Sequence, residues 1–136
     1  MIAKKNGERL EVGRPSCRLL AALLLLWMSW SVTFAAEPSA QDIEFFEKQV
    51  RPILVTHCQA CHGEKKQKGN LRLDSRVAAL KGGDTGPAVE PGKIDDSLLI
   101  DAINYGDTFK MPPKGKLPAE TIATLTEWVR RGAPWP

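Results

Sequence analysis

The chain contains few sulfur-bearing and imidazole side chains for its length. Its 136 residues include three cysteines, three methionines and two histidines. Cys17 lies in the N-terminal segment, so Cys58 and Cys61 are the cysteines that follow it. A disulfide between these two would close a very short loop and would constrain little of the unfolded chain. The scarcity of cysteine therefore argues against a disulfide-crosslinked scaffold, although small exported domains often need crosslinks or a cofactor.

The sequence also lacks strand-like alternation, internal repeats and, beyond residue 35, any excess of charge. Five of the 19 basic residues and two of the 16 acidic residues lie within residues 1–35, which leaves fourteen of each sign in the rest. The formal net charge of +3 therefore comes from the N-terminal segment alone. We expect no nucleic-acid partner, because a basic surface large enough to neutralise phosphates is not indicated.

The N-terminal segment has the layout of a secretory signal peptide. Basic residues precede an apolar run at residues 19–32, and the small residues Thr33 and Ala35 fit a cleavage site. The alternative is an uncleaved membrane anchor, since no charged residue lies between Arg18 and Glu37. We expect residues 1–35 to be the signal peptide, residues 36–136 to form one domain, and the protein to be exported to the periplasm or cell envelope. Contact with a membrane is expected only if the segment stays uncleaved.

The remaining sequence predicts an all-α domain with two long loops. Apolar residues recur at helical spacing in several segments, each with recognisable start and stop signals. The expected helices run from Ser39 to Leu54 with a break at Pro52, from Asp74 or Ser75 to Leu80, from Asp95 or Asp96 to Ile103 with a stop at Gly106, and from Pro118 to Arg131 with a stop at Gly132. Residues 84–92 and 107–117 are the long loops. Such loops are unusual in a small domain unless they wrap around something.

Residues 58–62, which read Cys-Gln-Ala-Cys-His, are the most specific motif. Two cysteines at this spacing can each add to one vinyl group of a porphyrin, and the histidine that follows can bind the iron. The motif predicts a covalently attached haem c. Cys58 and Cys61 would form the thioethers, and His62 would be the proximal iron ligand.

The second iron ligand is expected from a loop that folds over the opposite face of the haem. Met111 is the only methionine outside the N-terminal segment, and core packing accounts poorly for it in a polar loop. Pro112 and Pro113 would stiffen that loop, so we expect Met111 to be the distal ligand. The other candidate, His57, directly precedes Cys58; we expect it to be a surface or hydrogen-bonding histidine that points away from the His62 face.

Filled axial positions favour electron transfer over substrate chemistry. A thioether opposite an imidazole favours Fe(II) and raises the reduction potential. We therefore expect single-electron transfer by a protein that is more an electron carrier than an enzyme. If the bond between Met111 and the iron were labile, a peroxidase-like or ligand-sensing role would become an alternative.

Lysines flank both predicted ligand loops. They are Lys65, Lys66 and Lys68 after His62, and Lys110, Lys114 and Lys116 around Met111. One interpretation is a basic rim around the haem edge, at which an acidic redox partner protein docks. The other interpretation is an ordinary solvated surface.

The cysteine motif has two alternative interpretations, a redox-active dithiol and a zinc site. A thioredoxin-like dithiol normally starts a helix that follows a strand, and no strand is predicted before Cys58. A zinc site could draw on His57, Cys58, Cys61 and His62. These four lie within six residues, whereas zinc sites normally take a second ligand pair from farther along the chain.

The order of motifs along residues 43–136 resembles the planctomycete-type cytochrome c domain, a class I-like c-type cytochrome. The segments that carry the resemblance are Phe46, Val50-Arg51-Pro52-Ile53-Leu54, Cys58-x-x-Cys61-His62-Gly63, Leu71-x-Leu73-Asp74-Ser75, Gly82-Gly83, Gly86-Pro87, Pro91-Gly92, Ser97-Leu98-Leu99, Met111-Pro112-Pro113, Trp128 and Gly132-Ala133-Pro134-Trp135-Pro136. The resemblance implies a cytochrome c-like helical fold wrapped around the haem. It also implies thioethers at Cys58 and Cys61, proximal His62 and distal Met111.

The resemblance leaves two architectures open. In that family the domain commonly opens a much longer exported polypeptide, whereas this chain ends at Pro136. We expect an exported monohaem electron carrier. The alternative is the haem domain of, or a domain truncated from, a larger cell-envelope oxidoreductase whose catalytic chemistry lies elsewhere.

Overall fold

The computed structural model describes residues 37–136, in which all the regular elements are helical. No named strand occurs in this range, where two isolated bridges join His62 to Gln67 and Gly83 to Gly86. The prediction of an all-α domain is confirmed for these residues. The predicted signal peptide and its cleavage site lie outside the described range. None of the helices within the described range has the length and apolar character needed to cross a membrane.

The first helical segment is interrupted before Pro52. Helix α1 spans Ala40–Phe45, a π-helical turn spans Phe46–Val50, and α2 spans Arg51–His57. Ser39 caps α1, because its hydroxyl accepts a 3.1 Å hydrogen bond from the amide of Asp42. Proline has no N–H to donate, and the backbone reaches it through a wider turn in which the Arg51 amide bonds the Phe46 carbonyl. The expected cap at Ser39 and the expected restart near Pro52 are both confirmed.

Three further helices follow the cysteine motif. A 3₁₀ turn at Lys68–Asn70 is followed by α3 at Arg76–Lys81, α4 at Leu98–Asn104 and α5 at Ala119–Arg130. Ser75 caps α3 through the amide of Ala78, and Gly82 ends it with a φ of 74°. Residues 84–92 and 107–117 contain no helix, so both predicted long loops are confirmed.

The predicted start of α4 is wrong. Ser97, rather than Asp95 or Asp96, occupies the N-cap position, and the two aspartates stay exposed. The hydroxyl of Ser97 accepts from the Glu90 amide at 2.9 Å and donates to the Lys93 carbonyl at 2.7 Å. Ser97 therefore precedes α4 because it holds the preceding loop together. Helix-capping rules do not describe this role.

This use of Ser97 gives a stability prediction. Ser97 is 1% exposed, so Ser97→Ala leaves the Glu90 amide and the Lys93 carbonyl without their partner in a buried position. We expect the free energy of unfolding in urea to fall by about 1–3 kcal/mol. Ser39→Ala, which removes an exposed cap, is the control and should cost about 1 kcal/mol or less. Equal losses in the two variants would contradict this role for Ser97.

The hydrophobic core joins the first helical segment to α4 and α5. Phe46, Val50 and Leu54 pack in one cluster with Ile103 and Trp128, and all five are at most 1% exposed. The indole N–H of Trp128 donates to the Pro134 carbonyl at 2.8 Å, which fixes the C-terminal segment to this core. The core thus sets the positions of the C-terminal end of α2 and of the loops before and after α4.

Candidate functional site

The cysteine motif forms a tight turn directly after α2. The amide of Cys58 still bonds the Leu54 carbonyl at 3.0 Å, so the first cysteine continues from the end of the helix. The amides of Cys61 and His62 both bond the Cys58 carbonyl, at 3.1 and 2.9 Å. The backbone therefore turns back on itself within five residues and keeps the two thiols and the imidazole in one short turn.

Gly63 is required by this turn. A Cβ atom at residue 63 would lie 2.5 Å from the carbonyl oxygen of Gln59, which is closer than Cβ atoms come to other heavy atoms in proteins. Gly63 is itself buried. The glycine after the histidine is therefore explained by a close backbone approach.

The segment after the motif folds back onto it. The Lys68 amide bonds the Cys61 carbonyl at 3.0 Å, and the Leu73 amide bonds the His62 carbonyl at 2.7 Å. The side-chain amide of Gln59 donates to the Leu73 carbonyl at 3.1 Å. These bonds fix the backbone on both sides of His62.

The imidazole of His62 is partly buried and is favoured in its neutral form. Burial lowers its pKa, and the backbone of Lys68 and Leu71 only partly opposes this effect, so the neutral form that binds metals is favoured. Its Nδ1 atom is buried, and the residues described here provide it with no hydrogen-bond partner. An unpaired buried nitrogen is unfavourable, and such a group in a folded protein calls for an explanation. A prosthetic group at this imidazole is consistent with both features.

A cavity of about 420 Å³ lies beside this turn, within the size range of small-molecule and cofactor pockets. All four predicted site residues line it: Cys58, Cys61 and His62 from the turn, and Met111 from the loop after α4. Much of the remaining wall is apolar. The apolar residues are Leu71, Leu73, Ala88, Leu98, Leu99, Ala102, Ile103, Phe109, Pro112, Pro113 and Leu117. The structure therefore brings the four residues around one mostly apolar cavity, which suits a large apolar macrocycle.

His57 is exposed, as the sequence indicated, and it also lines the cavity. That its side chain points away from the face that His62 occupies stays a prediction. No pairing with another side chain was found for it among residues 37–136.

A glycine-bounded turn lies at residues 82–86, and residues 83–86 form another part of the cavity wall. The Asp84 amide bonds the Gly69 carbonyl at 3.0 Å, and the Asn70 side chain donates to the Asp84 carboxylate at 2.6 Å. A Cβ atom at Gly83 would overlap the Gly69 carbonyl. The turn is thereby held against the segment that follows His62. The sequence predicted that Gly82 and Gly83 end the preceding helix and that a long loop begins at Asp84.

The structure also bears on the two alternatives for the cysteines. Burial raises the pKa of Cys58 to about 11, so the thiol stays protonated at neutral pH, whereas redox-active dithiols need a lowered pKa. Within residues 37–136, no three His, Cys, Asp or Glu side chains are grouped so that they could hold a metal ion. Neither a thioredoxin-like dithiol nor a zinc site is therefore supported.

Comparison with known proteins gives one match. Residues 58–115 match the family described as Planctomycete cytochrome C, a range that begins at the first cysteine of the motif and includes Met111. No curated protein and no solved structure matches the chain. The matched range is shorter than the span of residues 43–136 over which the motifs suggested the resemblance. A match to a cytochrome c family implies a covalent haem c with its iron. The resemblance stated from the sequence is thereby confirmed over its central part: residues 58–115 of this chain match the planctomycete cytochrome C family.

Proposed function

We propose that this protein is an exported monohaem c-type cytochrome that transfers single electrons. Cys58 and Cys61 would hold the haem through thioether bonds, and His62 and Met111 would bind its iron. The observation that supports this proposal best is the cavity, because all four side chains line it although Met111 is far from the others in the sequence.

The residues around the cavity fit the tasks that this function requires. Each cysteine adds its S–H bond across one vinyl group, which needs no oxidant and leaves no by-product. When bound, the haem iron supplies a one-electron couple. The neutral imidazole of His62 and the soft thioether of Met111 both suit a haem iron, and the pair favours its reduced state. The apolar wall excludes water and so keeps the environment of the cofactor largely unchanged between the two oxidation states.

We further propose that the electron is passed on without a bound substrate. If His62 and Met111 both bind the iron, they would leave it no position for a substrate, and this argues against an enzyme with its own substrate chemistry. Export rests on the pattern of residues 1–35, where basic residues precede an apolar run and small residues. Periplasmic or cell-envelope location follows from that pattern.

The six lysines of the two ligand loops are proposed as the docking surface for an acidic redox partner. All six are exposed, and Lys68 lines the cavity itself. The loops that carry them are the two that supply His62 and Met111. In this proposal their positive charge would steer a negatively charged partner towards the cofactor.

The docking proposal predicts a charge-dependent rate of electron transfer. In the haem-loaded protein, Lys110→Glu with Lys114→Glu should slow reduction by an anionic reagent such as ferrocyanide about three- to tenfold at low salt, and the difference should shrink as salt is added. Lys48→Glu with Lys93→Glu is the matched control, because it makes the same change in net charge at exposed lysines that lie outside the two ligand loops. Stopped-flow absorbance gives both rates. If the control pair slows the reaction equally, only net charge matters and the lysine rim has no special role.

A further inference from the structure

We infer that Tyr105 is the positioning residue that holds the Met111 loop against the cavity. The inference rests on the proposed function, since the place of Met111 matters to the cofactor only if its thioether binds the iron. Tyr105 does not line the cavity itself. It acts on Met111 through the backbone carbonyl of Pro112, the residue that follows Met111.

The chain reverses direction at Tyr105. This residue ends α4 in the left-handed conformation, with φ 63° and ψ 43°, which is costly for a residue with a side chain. Its amide and that of Gly106 bond carbonyls of the last turn of α4, those of Ala102 and Asp101, at 3.2 and 2.9 Å. The loop that follows is thus directed back along the helix that it has just left.

Met111 is held from both sides. Its own amide donates to the Ala102 carbonyl of α4 at 2.9 Å. The phenol of Tyr105 donates to the carbonyl of Pro112, the next residue, at 2.6 Å. Together these two bonds fix the backbone of residue 111 relative to α4, whose residues Leu98, Leu99 and Ile103 form part of the same cavity wall.

The two prolines explain why a side chain is needed for this task. Pro112 and Pro113 have no N–H, so this stretch of backbone can be held through its carbonyl oxygens but not through its own donors. In the part of the chain that the structure describes, only the Met111 amide and the Tyr105 phenol hydrogen-bond residues 109–116 to a residue outside them. Lys116 adds a weaker contact, with its ammonium 6.0 Å from the centre of the Tyr105 ring. Removing the phenol leaves this loop bonded to α4 through the Met111 amide and through the Thr108 amide, which donates to the Asp101 carboxylate at 3.4 Å.

Tyr105→Phe in the haem-loaded protein tests the inference, because it removes the hydroxyl and keeps the ring. Imidazole added to the ferric protein competes with Met111 for the iron, so its affinity measures how readily the loop opens. We expect imidazole to bind about five- to tenfold more tightly to Tyr105→Phe, the effect of losing one net hydrogen bond in the closed loop. The absorption band of the ferric iron–thioether bond should fade in parallel.

Thr126→Val is the matched control. Thr126 also donates its hydroxyl to a carbonyl, that of Ile122 at 2.8 Å, and it is half-buried like Tyr105 but lies in α5. Urea unfolding of both variants shows whether their global stabilities change by similar amounts. Imidazole affinity should increase in Tyr105→Phe and stay at the wild-type value in Thr126→Val.

Two results would overturn the inference. Unchanged imidazole affinity in Tyr105→Phe would show that the phenol does not hold the loop. An equal increase in both variants would show that the effect is a general loss of stability. A wild-type protein without an iron–thioether band is a different result, because it contradicts the proposed function itself and the inference with it.

Discussion

Replacing Cys58 and Cys61 together by alanine is expected to abolish covalent attachment of haem. Each thioether needs one of these sulfur atoms, and both thiols line the cavity beside His62. The protein should be produced in a host that carries a haem-ligation system, unfolded, and extracted with acidified organic solvent. In the wild-type protein we expect the haem to remain with the polypeptide, and in the double variant we expect all of it to pass into the solvent or never to be bound.

Cys17→Ala is the matched control for this experiment. Cys17 lies in the predicted signal peptide, so its removal should leave the yield of covalent haem unchanged. Single replacement of Cys58 or Cys61 should leave one thioether and an intermediate yield. Wild-type protein from which haem extracts freely would contradict covalent attachment at residues 58–62.

Met111→Ala is expected to lower the reduction potential and to change the absorption spectrum of the ferric protein. Loss of the thioether removes a ligand that favours Fe(II), and axial ligands together span about 0.8 V of haem potential, so a decrease on the order of 0.1 V is expected. The iron should become weaker-field or take a substitute ligand. Potentiometric titration followed by absorbance measures both effects in one experiment.

Phe109→Ala provides the control for Met111→Ala. Phe109 lies in the same loop, lines the same cavity and is 40% exposed, but it has no group that binds iron. Its replacement should leave the spectrum that of a thioether-bound iron and shift the potential much less. An unchanged spectrum in Met111→Ala would eliminate Met111 as the distal ligand.

The parts of this protein that the sequence predicts well are those fixed by local chemistry. The caps at Ser39 and Ser75 and the break near Pro52 depend on neighbouring residues, and the structure places them as expected. The turn at residues 58–62 is local too, because the amides of Cys61 and His62 both bond the Cys58 carbonyl. Sequence spacing alone was enough for these features.

The features that the sequence did not predict depend on contacts across loops. The sequence did not predict Ser97 at the start of α4, because Asp95 and Asp96 are equally good capping residues. The Ser97 hydroxyl instead bonds the backbone of residues 90 and 93, which only the folded loop shows. Tyr105 was missed because tyrosine seldom adopts a left-handed conformation and because its bond to Pro112 spans seven residues. Only the folded loops show the hydrogen bonds that these two side chains make.

Met111 lies between these two cases. It was selected from the sequence by elimination, as the only methionine beyond the N-terminal segment. The structure places it in the wall of the same cavity as Cys58, Cys61 and His62, an arrangement that the spacing of the residues could not predict. Its role as an iron ligand remains a prediction that the Met111→Ala experiment addresses.

The reduced-minus-oxidised absorbance spectrum of the purified protein, produced with a haem-ligation system, tests the central claim most directly. It reports the cofactor, the coordination of its iron and its capacity for reversible one-electron reduction together. The account predicts the spectrum of a six-coordinate, low-spin haem c that is fully reduced by dithionite and reoxidised without loss. Protein without a haem spectrum, or with five-coordinate, high-spin iron, would contradict it.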